Sequence, residues 1–287
     1  MPELPEVETI ARGLDQRVRG DFIESVWLGS HREPLKSSAQ EIAAALAGTR
    51  IAKVRRVGKH IVFDLEPKSS QNGVTKTQRA ASLSSRNGGR QWIVHLGMTG
   101  RMLVCSPEEA SPKHTHAIAS LSSGRELRFV DPRRFGRLSV TRERGFTGPG
   151  TEPLTVTADE FAKLFRGRKT PIKAALLNQK LLRGVGNIYA DESLFRAGIR
   201  PRRQAGRLSR AELDRLHAAV KQVLKEAIRL GGSSVSDYVD AEGREGFFQL
   251  RHRVYLRTAK PCLVCRTPIK RLVLGGRGTH YCPKCQR

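Results

Sequence analysis

The sequence predicts a multidomain α+β protein, and three observations lead there. Short strand-like segments separated by Gly and Pro fill most of the first half, helix signals take over beyond about Phe146, and paired cysteines crowd the last 26 residues. Strands followed by helices favour a sandwich or barrel beside a helical unit over a βαβ sheet. A chain of 287 residues suits two packed units.

Val7, Ile10, Ala11, Leu14 and Val18 recur at helical spacing after Pro5, and Gly20 stops that helix. A strand is expected at Phe22–Leu28. Ser38-Ala-Gln-Glu41 reads as a capping box before a helix over Ile42–Ala47, with Gly48 as its stop. Strands are then expected at Ile51–Val57, His60–Leu65, Gln91–Leu96, Arg101–Val104, Thr115–Leu121, Glu126–Val130 and Arg137–Val140. The stretch 67–90 interrupts them with Ser, Asn, Gly and Arg, no acid and no periodicity, and reads as a flexible insertion between two strands.

Gly148-Pro-Gly150 and Glu152-Pro153 form a linker, and helices follow. Thr157-Ala-Asp-Glu160 is a second capping box, and Thr170-Pro171 reads as an N-cap before a proline in the first helical position. Asn187–Ala197 ends at Gly198. Ser209-Arg-Ala-Glu212 opens the clearest helix, with Leu213, Leu216, Val220, Val223, Leu224 and Ala227 on one face and Gly231-Gly232 ending it. The tail from Val254 is too short for a core of its own and needs a staple.

Lys and Arg number 52 against 27 Asp and Glu, a net charge of +25, so the partner to expect is a polyanion, with nucleic acid ahead of an anionic membrane. No stretch approaches the roughly 18 apolar residues of a membrane span. Glu3, Glu6 and Glu8 stand where a secretory signal would be basic and then apolar, so membrane and export readings are set aside.

Cys262-Leu-Val-Cys265 and Cys282-Pro-Lys-Cys285 match the spacing of a four-thiolate zinc site. With all four positions filled by protein, such a site is structural, and the residues between the knuckles can return as a hairpin. Disulfide pairing is the alternative. Cys105 stands apart as an expected buried small hydrophobe.

Met1-Pro2-Glu3 places a secondary amine beside a carboxylic acid once Met1 is removed. An α-amino group near pH 8 keeps a useful neutral fraction, unlike an unperturbed lysine. The iminium it would form at a sugar C1′ cannot lose its charge at nitrogen, so it acidifies the neighbouring carbon and promotes elimination. A helix entry with acids at its positive end is the plainer reading of the same residues.

With the zinc spacing, these residues resemble the bacterial formamidopyrimidine-DNA glycosylases. The resemblance continues through Val57-Gly-Lys59, His95-Leu-Gly-Met-Thr-Gly100, Lys113-His-Thr-His116, Asp131-Pro-Arg-Arg-Phe-Gly136 and Gly184-Val-Gly-Asn-Ile-Tyr-Ala190, in family order. It implies an N-terminal two-sheet β-sandwich with flanking helices, a helix–two-turn–helix bundle and a zinc-finger hairpin. The corresponding expected boundaries are 1–150 (with the insertion at 67–90), 151–235, a lid or connector at 236–252, and 253–287. The 67–90 segment departs from the family by its length.

The resemblance also implies roles. Pro2 is the Schiff-base nucleophile, and Glu3 is the acid that opens the sugar ring, its pKa raised by burial among anions. Lys59, in a strand-to-strand turn, assists β-elimination, and Arg277 serves δ-elimination and the flanking phosphates; a solvated hairpin lysine is the plainer reading of Lys59. Met98, Arg133 and Phe135 fill the gap left by a flipped nucleotide, where core packing is the ordinary fate of Met and Phe. His114, Arg168 (a lysine in relatives) and Asn187 contact DNA. Gly184-Val-Gly-Asn187 would let amides at a helix N-terminus approach phosphate, or be a simple tight turn. Gly231–Tyr238 falls in the family's base-pocket and lid region.

The implied activity is excision of oxidised purines (8-oxoguanine, formamidopyrimidines) from damaged double-stranded DNA, followed by β,δ-elimination. One structural zinc, no organic cofactor, a monomeric state and a cytoplasmic, nucleoid-associated location accompany it. Two rivals stand beside it: an endonuclease VIII-like enzyme for oxidised pyrimidines, and a non-catalytic DNA-binding protein.

Overall fold

The computed structural model describes residues 1–67, 89–142, 145–234 and 244–287. Two compact units result, one of Met1–Pro2, Val7–Thr147 and Val239–Arg244, the other of Glu3–Glu6, Gly148–Tyr238 and Glu245–Arg287. Most of the 67–90 insertion and residues 236–243 of the expected lid lie outside the described residues.

Helix α1 (Leu4–Val18) starts before Pro5, because proline in a first turn removes an N–H that has no intrahelical partner anyway. Its expected apolar face is buried throughout, with Leu4 added. Strands β1 (Phe22–Leu28), β2 (Thr49–Val57), β3 (His60–Pro67), β4 (Arg90–His95), β5 (Arg101–Cys105), β6 (Thr115–Leu121), β7 (Glu126–Val130) and β8 (Arg137–Thr141) form one antiparallel ladder in the order β5-β7-β6-β1-β2-β3-β4-β8. It narrows between β1 and β2, which pair only at Phe22↔Arg50 and Ile23↔Thr49, so two four-stranded halves meet at a short seam. Helix α2 (Ala39–Leu46) begins at the expected Ser38 box, worth about 1 kcal/mol. Strands β3 and β4 pair as far as Leu65↔Arg90, so the insertion joins the ends of a hairpin. Cys105, at the end of β5, is half-buried rather than buried.

The second unit holds α3 (Ala158–Phe165), α4 (Ile172–Leu177), α5 (Asn187–Ala197) and α6 (Arg210–Arg229) around Phe161, Phe165, Tyr189, Leu216 and Phe248. Both expected capping boxes, at Thr157 and Ser209, are formed. Helix α4 begins one residue later than expected. Pro171 bridges Gln204 and Ala205 N donates to Thr170 O, which holds Pro171 extended (φ −53°, ψ 142°) so that the helix starts at Ile172. Between α4 and α5 the chain makes a double turn tied by one side chain. Gln179 Nε2 donates to Leu177 O and Val185 O, and Gln179 Oε1 accepts from Gly184 N. Strands β9 (Lys270–Leu274) and β10 (Arg277–Tyr281) form the tail hairpin, closed by Gly275-Gly276 at φ 54° and 73°, the left-handed pair that a two-residue turn requires.

Candidate functional site

Glu3 stands just before α1 and is 6% exposed. Its backbone N–H donates to Glu6 Oε2 at 2.8 Å, half of a capping box. Its own carboxylate turns to the N-terminus of α5, where Ile188 N donates to Oε1 at 3.3 Å. A Cβ on Gly186 would stand 2.1 Å from the Glu3 carboxyl carbon, and one on Gly184 would meet Leu4. Gly186, expected to admit a phosphate, therefore admits the protein's own acid, which takes the favourable anion position at the helix end. Glu6, in sequence only one of three acids near the N-terminus, is a buried hub. It accepts from Tyr189 Oη and, at 2.8 Å, from Ser233 N, while burial pushes its pKa up against these bonds.

The hairpin bearing Arg277 is anchored to α4 and α5. Lys173 Nζ lies 2.7 Å from Asp191 Oδ1, both side chains 0% exposed, and donates to Gly278 O and Thr279 Oγ1 at 2.9 Å. Asp191 Oδ2 accepts from His280 N at 2.8 Å. Asn187 Nδ2 donates to Gly278 O at 3.0 Å, so part of the side chain expected to hold DNA is spent on the hairpin. Arg277 itself is exposed at the start of β10. Burial lowers the Lys173 pKa, opposed by Asp191.

The neighbouring Glu192 accepts from Arg253 N, Val254 N and Tyr255 N at 2.9–3.0 Å, clasping the segment that leads to the tail. His252 lies between Phe248 and Tyr255, its ring centroid 5.5 and 5.4 Å from theirs, and burial lowers its pKa to about 4, helped by His280. The unfolded chain binds this proton at higher pH than the folded one, so stability rises with pH between about 4 and 6.5. Acidification across that window should cost up to about 3 kcal/mol at this residue. Denaturant titrations at pH 7 and pH 4 should show a smaller loss for His252→Gln than for the parent; an equal loss would rule the imidazole out.

In the first unit, Lys59 sits in a two-residue turn whose Gly58 has φ 59°, the conformation of the first position of a type II′ turn. Arg56, held by Glu8 at 2.7 Å, donates to Gly58 O at 3.3 Å and fixes that turn. The rings of His60 and His95 stand 5.0 Å apart beyond it. His95 has its pKa lowered to about 4 by burial and then by the charges of His60, Lys59 and Arg137, so its Nδ1 is free to accept from Gly97 N at 3.1 Å.

Met98 is 42% exposed and Phe135 is 54% exposed, so neither is core. The Arg133 guanidinium carbon lies 5.0 Å from the Phe135 ring centre, a cation–π contact. A Cβ on Gly97 would stand 2.5 Å from Gly136 N, so the β4–β5 and β7–β8 loops abut backbone to backbone. His114 and Arg134 hold positive φ, 72° and 55°, each costing roughly 1–2 kcal/mol that the surrounding bonds must offset. His114 O accepts from Asp131 N at 3.0 Å, which ties this residue to the same loops.

Arg168 is exposed three residues beyond α3, its Nε donating back to Leu164 O at 2.6 Å. The Sγ atoms of Cys262, Cys265, Cys282 and Cys285 all lie within 4.8 Å of one another, with Cys262–Cys285 at 3.9 Å and Cys265–Cys282 at 3.4 Å. A tetrahedron with zinc–sulfur bonds of 2.3 Å has edges of about 3.8 Å, so the four thiolates fit one zinc ion and leave no open position for catalysis. Phe195, Val254 and Ile269 pack around Cys262 and Cys282, making the metal site the core of the tail.

Among the expected residues, Met98, His114, Arg133 and Phe135 thus share one pair of abutting loops and their flank, while Glu3, Asn187 and Arg277 share the surroundings of α5. Lys59 and Arg168 occupy separate places within their units. Glu6, Asp131, Lys173, Asp191 and Glu192 carry the geometry and were not singled out. Local signals existed for Glu6, three residues after the residue that caps α1, and for Asp131, at the head of the Asp131-Pro-Arg-Arg-Phe-Gly136 motif.

Three family models match successive stretches of the chain. They are the formamidopyrimidine-DNA glycosylase N-terminal domain over residues 1–138, the corresponding H2TH domain over 148–239, and a zinc finger found in FPG and IleRS over 259–287. The formamidopyrimidine-DNA glycosylase of Solibacter usitatus is 44% identical over the whole of both chains, and that of Listeria monocytogenes is 39% identical over the same span. The crystal structure of the Thermus thermophilus MutM (Fpg) protein superposes with a TM-score of 0.82 at 40% identity, covering 99% of this chain and 98% of that one. A complex of Lactococcus lactis Fpg with DNA containing an abasic site gives 0.85 at 29% identity, covering 99% of each.

Together these matches define a DNA glycosylase of base excision repair. The chain belongs to the formamidopyrimidine-DNA glycosylase family. No helix among the described residues is long and apolar enough to cross a membrane.

Proposed function

We propose that this chain excises oxidised purines, 8-oxoguanine and formamidopyrimidines, from double-stranded DNA as a monomer and then cleaves the strand by β,δ-elimination. The observation that carries the reading is the buried Glu3 carboxyl, fixed on the N-terminus of α5 directly after Pro2. Removal of Met1 frees the Pro2 nitrogen to attack C1′ of a flipped nucleotide, and the base leaves as the ring oxygen takes a proton from Glu3. The resulting iminium acidifies C2′. Loss of that proton expels the 3′ phosphate with help from Lys59, and a second elimination, assisted by Arg277, expels the 5′ phosphate.

Met98, Arg133 and Phe135 fill the space the nucleotide leaves, with His114, Arg168 and Asn187 on the backbone. The exposure of Met98 and Phe135 beside Arg133 supports this, as does a net charge of +25. A Lactococcus lactis Fpg variant has been crystallised with Fapy-dG DNA at 29% identity and a TM-score of 0.85, which supports the purine preference. Residues 253–287 act in this reading as the finger, its four cysteines holding one structural zinc ion and its hairpin presenting Arg277.

Borohydride reduction in the presence of an 8-oxoguanine duplex tests the reading. Intact mass should show one covalent adduct on protein lacking Met1, and Pro2→Gly should form it more slowly. An adduct-free protein that still nicks the duplex, or faster excision of thymine glycol than of 8-oxoguanine, would overturn the mechanism or the lesion class respectively.

A further inference from the structure

One buried carboxylate serves both loops that carry the exposed apolar tips. Asp131 is 0% exposed, and its Oδ1 accepts from Thr99 Oγ1 at 2.6 Å and from Arg133 N at 3.3 Å. Its Oδ2 accepts from Gly136 N at 2.7 Å. The main chain of the same residue extends the web, since Asp131 N donates to His114 O at 3.0 Å. Asp131 O in turn accepts from His116 Nε2 at 2.9 Å and from Arg134 N at 3.3 Å. Of the bonds to the carboxylate, that of Thr99 alone comes from the Met98 loop; the others fold the β7–β8 loop on itself.

We propose that Thr99 and Asp131 form a latch joining the Met98 loop to the Arg133–Phe135 loop, so that both enter damaged DNA as one preformed wedge. The proposal rests on the gap-filling role given to these tips above. Tips that stand in solvent gain little order from packing, so the order needed for insertion must come from the base of the loops. A hydroxyl donating to a buried carboxylate is a strong, short bond well suited to that task. Thr99 and Asp131 are positioning residues, acting through Met98, Arg133 and Phe135.

Thr99→Val keeps the side-chain volume and removes the cross-loop bond alone. Arg133 N and Gly136 N still satisfy Asp131, so the β7–β8 loop keeps its fold. A duplex containing a tetrahydrofuran abasic analogue, with 2-aminopurine as its neighbour, reports insertion by a rise in fluorescence without any chemistry. The rise should slow by about fivefold in Thr99→Val, the equivalent of one ordinary hydrogen bond, and 8-oxoguanine excision should slow with it. Nicking of a preformed abasic site in single-stranded DNA, which offers no opposite strand to wedge, should stay at the parent rate. Thr99→Ser should restore the fluorescence rise. A parent-like rise in Thr99→Val, an equal loss on the single strand, or a parent protein that gives no rise would each overturn the latch. A parent that gives the rise, slowed in Thr99→Val, but no borohydride adduct would defeat the covalent mechanism and leave the latch supported.

Discussion

Replacing Glu3 by Gln is expected to slow release of 8-oxoguanine from a duplex by roughly a hundred- to ten-thousandfold, the range a positioned general acid supplies. The substitution is nearly isosteric. Its amide oxygen can still accept from Ile188 N, and the backbone N–H of residue 3 still donates to Glu6, so the entry to α1 keeps its bonds. What disappears is the transferable proton. Opening the sugar ring leaves charge on its oxygen, and an amide cannot discharge it. A preformed abasic site has already lost its base, so the variant should lose much less on that substrate. Measuring base release by chromatography and strand scission by gel on the same samples separates the two steps. Normal base release by Glu3→Gln would remove Glu3 from its assigned role, whatever the scission rate.

The sequence carried the repetitive parts of the fold well. Amphipathic spacing and three capping boxes located α1, α2, α3 and α6, because burial of one helix face and satisfaction of the first N–H groups are local effects. Four cysteines at knuckle spacing located the metal site for the same reason. The anchors of the site were not legible in this way. Asp191 and Glu192 look like surface acids in the middle of a helix, yet each is buried because its partners arrive from far along the chain, His280 for one and Arg253–Tyr255 for the other. The glycines before α5 signalled a close approach correctly but not what approaches, since nothing local to Gly186 points to Glu3. Asp131 stood inside a recognisable motif, and only the folded loops reveal that its carboxylate is shared with Thr99.

Asp191→Asn should destabilise the protein by about 3–5 kcal/mol, because removing one partner of a buried ion pair leaves the other charge uncompensated. Lys173 is 0% exposed at 2.7 Å from Asp191, and burial already lowers its pKa despite that carboxylate. In the variant the ammonium keeps Gly278 O and Thr279 Oγ1 as acceptors but loses the carboxylate in contact with it, leaving only the weaker pull of Glu3. Below the ordinary lysine value of 10.5 the unfolded chain holds this proton more firmly than the folded one, so the deficit should shrink as pH rises towards that value. Urea titrations at pH 7 and pH 9.5 would read both effects. The double variant Lys173→Met/Asp191→Leu should recover much of the loss, since an apolar pair of similar volume removes the buried charge altogether. Recovery of stability without recovery of strand cleavage would show the pair's second use, which is to hold Gly278 and Thr279 and so aim the hairpin that presents Arg277. A single variant within about 1 kcal/mol of the parent would mean that water reaches Lys173, and the pair could then not be the anchor of that hairpin.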